Sequence, residues 1–393
     1  MRVLVTSPVF PPDLGGPAVY VPSVARFLQE RGHEVKVVAF CSNLQPEAHP
    51  FPVQAISPGS LPLRYLRAFW TVFRAAGWAD VVYVNEHLAL LHVLAAKLRG
   101  KPVVIRIMVD GSWEISHRKG WCGGDGIVEF QNHTYGWQVR LVRFLQRRWW
   151  SWCTGIISCS EFLRQILVQH HGVAPEKVRR IFNAYHGPKP EDVPQTRDEA
   201  RAEVGCEHKG KLVLTICRLM GWKRVDQILR ALTELPDEVH LAVAGDGDMQ
   251  AEWEQLARDL GVADRVRFLG NVPHSEISLW IRAADVFALV SEYEGLSHTL
   301  LEVQALGTPM VASGVCGNPE VVEDRVNGLL VNPQDPSDVA RALREICENP
   351  ELGAQFAAEG LKRASEFTRK GTFSQVEAVL EAAIEGLGPG PQK

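Results

Sequence analysis

Arg218 and Lys223 stand five residues apart in Cys217-Arg-Leu-Met-Gly-Trp-Lys223, directly after a β-branched run. A guanidinium is a planar fork and an ammonium a point charge, so the pair suits a diphosphate. Neutralising a departing diphosphate accelerates glycosyl or phosphoryl transfer. Further on, Glu292-Tyr-Glu-Gly-Leu-Ser-His-Thr-Leu-Leu-Glu302 separates Glu294 from Glu302 by seven residues. Carboxylates accept hydrogen bonds from vicinal diols such as those of ribose and hexoses. The amides near Leu296, Ser297, His298 and Thr299 open a helix and could hold a phosphate. Near the N-terminus, Asp13-Leu-Gly-Gly-Pro17 precedes another helical stretch. Paired glycines let backbone approach a ligand, although Gly15 and Gly16 also suit a plain turn with Pro17 at the first helical position. The pattern is not G-x-G-x-x-G, so it gives little support to a nicotinamide cofactor.

Residues of these types must be held by something, and the chain alternates short apolar runs with amphipathic ones. Strands are expected over 3–6, 35–39, 81–84, 103–107, 155–159 and 178–182, then over 212–216, 239–244, 266–269, 286–290, 309–312 and 328–331. Helices such as 17–31, 88–99 and 249–260 lie between them. This alternation specifies parallel sheets covered on both faces. Ligands then belong beyond the carboxyl ends of the strands, where Gly15, Asp110, Arg218, Gly245 and Glu294 all fall. The expected organisation is an N-terminal acceptor-binding domain over 1–185, a Pro-rich linker over 186–209, a donor-binding domain over 210–368, and a C-terminal helix with a frayed tail over 369–393 that returns toward the first domain. The Gly- and Trp-containing segment 110–138 shows little periodicity and reads as a long functional loop.

The 393 residues are 46% apolar and 22% charged, which excludes a disordered or collagen-like chain. Eight scattered cysteines form no C-x-x-C pair, and neither H-x-H nor H-E-x-x-H occurs, so neither a disulfide framework nor a zinc site is expected. No leader-like or spanning apolar run is visible, so a cytoplasmic setting is expected. The net charge of −4 is uneven: residues 1–185 hold 21 Lys and Arg against 12 Asp and Glu, while 186–393 hold 21 against 34. Eight of the eleven tryptophans also lie in the first part. Nucleic-acid binding has no further support, but a peripheral contact with an anionic membrane is compatible with the basic half. Two basic aromatic segments stand out. Residues 139–152 read as an ordinary sheet-covering helix with arginines in water, while 63–74 divides more evenly between that and a membrane interface.

The second half resembles the retaining glycosyltransferases of family 4, which have the GT-B fold of two Rossmann-like doubly wound α/β domains facing across a cleft. The resemblance rests on Arg218 to Lys223, Val243-Ala-Gly-Asp-Gly247, Val266-Arg-Phe-Leu-Gly270, the Glu294/Glu302 pair, and Gly317-Asn-Pro-Glu320 with Asn327-Gly-Leu-Leu-Val331. It implies a hexosyltransferase acting on a nucleoside-diphosphate sugar, with a UDP-sugar favoured over a GDP-sugar. No metal and no cofactor are implied. The acceptor would be a hydroxyl of a saccharide, lipid-linked or small-molecule glycoside. Arg218 and Lys223 would bind the diphosphate, Glu302 the ribose and Glu294 the transferred sugar. Gly15, Gly16, Gly245, Leu269 and the amides of 296–299 would complete the donor pocket. Many members carry a histidine after the strand at 103–107, where this chain reads Met108-Val-Asp110. Asp110, Glu114 or His133 are therefore candidates for the acceptor side. A nucleotide-sugar epimerase or hydrolase of the same fold, and a non-catalytic sugar-nucleotide binding module at a membrane, are the alternatives.

Overall fold

The computed structural model describes residues 1–13, 15–44, 49–57, 61–85, 89–188, 190–194, 196–206 and 210–388, with the side chains of 61, 62, 190 and 274 set aside. The chain forms two compact units, Met1–Phe182 with Arg369–Lys393, and Asn183–Thr368.

The first unit is built on a seven-stranded sheet in the order β3-β2-β1-β4-β5-β6-β7. Its strands are β1 (Arg2–Ser7), β2 (Glu34–Phe40), β3 (Val53–Ile56), β4 (Val81–Val84), β5 (Val103–Ile107), β6 (Gly155–Ser158) and β7 (Val178–Arg180). Every pairing is parallel, with Val3 opposite both Val35 and Val81. The apolar runs of β4, β5 and β6 are buried because both faces are covered, while edge strand β3 is buried only in part. Val3, Val5, Val37 and Tyr83 point to one face, where Tyr20 and Val24 of helix Gly16–Glu30 and Phe373, Val376 and Leu380 of helix Arg369–Ile384 complete a core. That last helix is also tied at Glu377, which accepts from Arg31 and lies 2.7 Å from His33 Nε2. Strand alternation turns Leu4, Val82 and Ile105 to the other face. Helices Leu61–Ala76, Leu90–Leu98 and Trp137–Trp152 pack successively against one another there.

The second unit carries a six-stranded parallel sheet, β10-β9-β8-β11-β12-β13. Its strands are β8 (Lys211–Ile216), β9 (Val239–Ala244), β10 (Val266–Gly270), β11 (Val286–Leu289), β12 (Met310–Ser313) and β13 (Leu329–Val331). Val213, Leu241, Val243 and Val311 pack with Ile228 and Leu232 of helix Val225–Leu232 and Leu343 of helix Pro336–Glu348.

The two sheets share one plan. Each grows outward from its first strand, then resumes on that strand's other side, placing a topological switch between β1 and β4 and another between β8 and β11. Loops at such a switch diverge and leave a crevice, the usual ligand position in doubly wound sheets.

All twelve expected strands form. β3 was not anticipated: Val53-Gln-Ala-Ile56 is short, flanked by Pro52 and Pro58, and lies at the sheet edge. The segment 110–138 is not a long loop. It folds largely into helices Gly111–Arg118 and Ile127–Asn132, followed at once by Trp137–Trp152. Asp110 caps the first by accepting from Ser112 N and Trp113 N, and Trp113 and Phe130 bury the short helices against the domain. Parts of 186–209 are described: a helix, Arg197–Glu203, begins at Thr196 with a reciprocal Thr196/Glu199 capping box.

Candidate functional site

The crevice between β8 and β11 holds most of the residues singled out by chemistry. After β8 the chain passes through Cys217 and Arg218 into a tight turn, Gly221–Lys223. Arg224, at φ 50°, then starts helix Val225–Leu232. The left-handed residue is held by its side chain, which donates to both carboxylate oxygens of Asp226 at 3.1 Å and pairs with Glu292. Glu292 N donates to Trp222 O at 2.8 Å, so the loops after β8 and β11 are joined through backbone as well.

Lys223 and Glu294 make the decisive contact. Lys223 Nζ lies 2.6 Å from Glu294 Oε1, and Ser291 Oγ donates to the same oxygen at 2.9 Å. Burial alone would pull the Lys223 ammonium down, but the adjacent carboxylate outweighs it and holds it above its ordinary value. Lys223 is therefore a stable cation in a sheltered place. Arg218 contrasts with it: the side chain is exposed, with no hydrogen bond or ion pair among the described residues. One cation is fixed by an ion pair and the other is open to solvent.

Gly245 acts through the backbone. It has φ +122°, and a Cβ there would lie 1.9 Å from Cys217 O. Leu219 N donates to Asp246 O at 2.7 Å and Met249 N to Leu219 O at 3.0 Å. The glycine thus permits the loop after β9 to zip onto the loop that carries Arg218. Leu269, half-buried in β10, lies beside Gly270, whose carbonyl accepts from Gly245 N at 2.7 Å.

Beyond Glu294 the chain is pinned on two sides. Gly317 N donates to Glu294 O at 3.0 Å, and a Cβ on Gly317 would meet Gly295 O at 2.0 Å. Asn183 Nδ2 donates to the carbonyl of buried Leu296 at 2.8 Å. Ser297 then caps helix His298–Ala305, its Oγ accepting from Leu300 N at 3.2 Å. The amides of His298 and Thr299 precede the first helical bond, so the helix end presents donors and a partial positive charge. Glu302 sits one turn in. Burial pushes its carboxyl up to about 7. Among the described residues this sheltered carboxyl has no hydrogen-bond or ion-pair partner.

In the first unit, Gly15 is the N-cap and Gly16 the first residue of helix Gly16–Glu30. Gly15 is required by its φ of +155° and by Val9, 3.3 Å from where a Cβ would lie. A Cβ on Gly16 would meet nothing within 4 Å, so the protein's own packing does not explain that glycine.

The three acceptor-side candidates part company. Asp110 is fully buried, and its oxygens are occupied by Ser112, Gln131 and Gln146 and, at 2.8 Å, by His171 Nε2. Burial would raise its carboxyl, but His171 and these donors overcome that and hold it far below the usual range. Asp110 organises the domain interior. Glu114 is half-buried and 3.7 Å from Arg118. His133 is exposed, with Nδ1 2.8 Å from Asp125. Sequence reasoning missed Asn85, which follows β4 at the other switch point. It is buried, and among the described residues neither amide atom of its side chain has a hydrogen-bond partner. Its only sequence signal is a polar residue ending an apolar strand. Among the described residues, a cluster of metal-ligating type occurs at His33, Glu377 and Glu381, where Arg31 already shares Glu377.

Residues 15–184 match the family model described as glycosyl transferase 4-like domain, and residues 196–363 match glycosyl transferases group 1. The D-inositol 3-phosphate glycosyltransferase of Geodermatophilus obscurus is 30% identical across 99% of this chain and 90% of its own length. The D-inositol 3-phosphate glycosyltransferase 1 of Catenulispora acidiphila is 28% identical over 98% and 95%. Among solved structures, Anabaena HepE in complex with UDP-glucose superposes with a TM-score of 0.77 at 22% identity, covering 97% of this chain and 100% of that one. Sucrose-phosphate synthase from Thermosynechococcus elongatus gives 0.80 at 20% identity, covering 98% and 100%.

Proposed function

The chain belongs to the family of group 1 and 4-like glycosyl transferases, and from that premise we propose that it moves a hexosyl group from a nucleoside-diphosphate sugar to an acceptor hydroxyl with retention at the anomeric carbon. It is a glycosyltransferase of GT-B type. The observation that carries the finer reading is the Lys223–Glu294 ion pair at the β8/β11 switch, with Arg218 on the loop after β8 and Glu302 one turn into the helix that follows Glu294.

In this reading Arg218 takes the diphosphate bidentately and the amides of His298 and Thr299 add donors to it. Glu302 accepts from the ribose hydroxyls. Glu294, oriented by Lys223 and Ser291, accepts from hydroxyls of the transferred sugar. The bond from the anomeric carbon to the phosphate oxygen breaks, and its electron pair leaves with the diphosphate toward Arg218 and Lys223. The acceptor oxygen attacks from the same face, and its proton passes to the departing phosphate oxygen. No protein nucleophile enters the balance. UDP is the preferred nucleotide, as in the UDP-glucose complex of the HepE structure. Acceptors begin with inositol 3-phosphate, named for the relatives, and extend to saccharides and lipid-linked glycosides.

The test begins with thermal melts against UDP, GDP and ADP, since a ligand of the folded state raises the midpoint by mass action. Turnover of the stabilising donor follows, with Arg218→Ala and Glu302→Ala. Both should lower turnover by at least about a hundredfold. Wild-type donor binding and turnover in both variants would sink the proposal. An epimerised or hydrolysed sugar as the sole product across the acceptor panel would replace transfer with the alternative chemistry.

A further inference from the structure

The first unit presents a surface that the chemistry of transfer does not use. Helices Leu61–Ala76 and Trp137–Trp152 together contain seven arginines and no aspartate or glutamate. The helix between them, Leu90–Leu98, carries Lys97 and likewise no carboxylate. An ordinary solvated helix face mixes signs, so that like charges do not accumulate.

The same helices expose their largest apolar side chains. Trp137, Leu141 and Phe144 recur at i, i+4 and i+7 and are 65%, 46% and 60% exposed. Leu63, Leu66 and Trp70, at i, i+3 and i+7, are each at least 54% exposed. The expectation that 139–152 is an ordinary sheet-covering helix therefore holds for one side only. Val139, Trp149 and Trp150 are buried, while a second apolar stripe faces outward between exposed Arg140, Arg147 and Arg148. Arg67 and Arg74 border the other stripe in the same way. An exposed aromatic and leucine stripe rimmed by cations matches the interfacial zone of a bilayer, where rings lie at headgroup depth and arginines reach phosphates.

Between the helices lies a cavity of about 410 Å³. Its walls include Tyr65 from the first helix, Leu90 and Leu91 from the second, and Val142, Leu145 and Trp149 from the third. Nothing in this set but the Tyr65 hydroxyl and the Trp149 indole N–H could hold a water, and a cavity so lined favours hydrocarbon. On helix Trp137–Trp152 the cavity stripe (142, 145, 149) is rotated by one residue from the exposed stripe (137, 141, 144), so the cavity borders the outward apolar surface.

We propose that this helical layer docks on an anionic phospholipid bilayer and that the cavity takes one hydrocarbon chain of a lipid in it. Charge selects the occupant: a second copy of the chain would bring the same arginines against these, whereas phosphodiester headgroups complement them. No described helix is long and apolar enough to span, so the contact is peripheral. The proposal is independent of the transfer reading, because vesicle binding is measured without any sugar.

The full-length chain is floated with vesicles of phosphatidylcholine alone or with about a third phosphatidylglycerol, at low and high salt. Binding should be at least about tenfold tighter to the anionic vesicles and weaken with salt. Leu141→Glu with Phe144→Glu should lose at least about tenfold while keeping the wild-type melting midpoint and UDP binding. Leu91→Phe and Leu145→Phe, which fill the cavity, should keep salt-sensitive binding but lose the fraction that resists salt. Wild-type protein that ignores anionic vesicles, or binds neutral ones equally, overturns the docking. So does a wild-type dimer in sedimentation that the Leu141/Phe144 variant dissolves. Unchanged salt resistance in both cavity variants overturns the chain-binding part.

Discussion

Lys223 Nζ lies 2.6 Å from Glu294 Oε1 and thereby joins the loop after β8 to the loop after β11. The two residues are 71 apart in sequence and become neighbours only because the sheet places β8 beside β11. Removing either partner leaves the other sheltered and uncompensated. Lys223→Met and Glu294→Gln should each lower kcat by about two to three orders of magnitude. The double variant should be no worse than the poorer single one, since groups acting as a unit are not additive. Steady-state kinetics of the two single variants and the double variant decide this, and strict additivity would mean the residues act separately.

Glu302 supplies a pH dependence. Its carboxyl is raised to about 7 by burial, so in the free protein it is largely protonated below neutrality. A folded-state value above the ordinary carboxylate range means the folded protein binds this proton more tightly than the unfolded chain. Stability from this group is full below about pH 4 and declines as pH rises toward 7. Ribose hydroxyls donate best to the ionised form, so nucleotide affinity should fall by up to about tenfold per unit as pH drops below 7. Calorimetric titration of UDP from pH 5.5 to 8.5 should show that slope beyond the ionisation of UDP itself, and Glu302→Gln should lack it.

Asp110 titrates the other way. His171 and its amide and hydroxyl donors hold the carboxyl well below its ordinary value, so its contribution is full above about pH 4 and is lost as pH falls further. Asp110→Ala leaves buried His171 and Gln146, and partly buried Gln131, without their acceptor around a void, which should cost about 3–5 kcal/mol in chemical denaturation. UDP binding by the folded fraction should be unchanged. A variant as stable as wild type would return Asp110 to the list of ligand-contacting residues.

Two glycines make opposite predictions from the same substitution. Gly245→Ala places a Cβ 1.9 Å from Cys217 O at φ +122°, which should destabilise by more than about 2 kcal/mol and weaken UDP binding through the Arg218 loop. Gly16→Ala meets nothing within 4 Å, so stability should stay within about 0.5 kcal/mol of wild type. If donor turnover nevertheless drops in Gly16→Ala, the space belongs to substrate.

These sites divide by what local pattern can encode. Buried parallel strands are continuous apolar runs, so β4 and β9 were bounded by their sequences alone. The loops after β8, β9 and β11 are then placed by topology, which brings Arg218, Gly245 and Glu294 to the same end of one sheet. The partnership of Asp110 with His171 spans 61 residues and leaves no periodic trace. Helix Gly111–Arg118 was hidden because its signal is a side-chain cap and one buried tryptophan rather than an amphipathic stripe. In helix Trp137–Trp152, apolar residues occupy more than one face, so periodicity alone could not tell the covered stripe from the exposed one.

Asn85 poses the sharpest separation of fold from function. Its N–H donates to Thr6 O at 3.2 Å, across the β1/β4 switch, yet both polar atoms of its buried side chain lack partners among the described residues. An unsatisfied amide costs stability, about 1–3 kcal/mol for each unpaired group, and a fold has no use for it. Asn85→Leu replaces it with an apolar group of similar size, so the melting midpoint should hold or rise. A primary amide offers one donor and one acceptor to neighbouring hydroxyls of a sugar or polyol. Transfer to acceptor should therefore fall by at least about tenfold in Asn85→Leu, through KM for acceptor, while UDP binding is unchanged. A lowered midpoint with unaltered transfer would show that the amide, paired through ordered water, serves the fold instead.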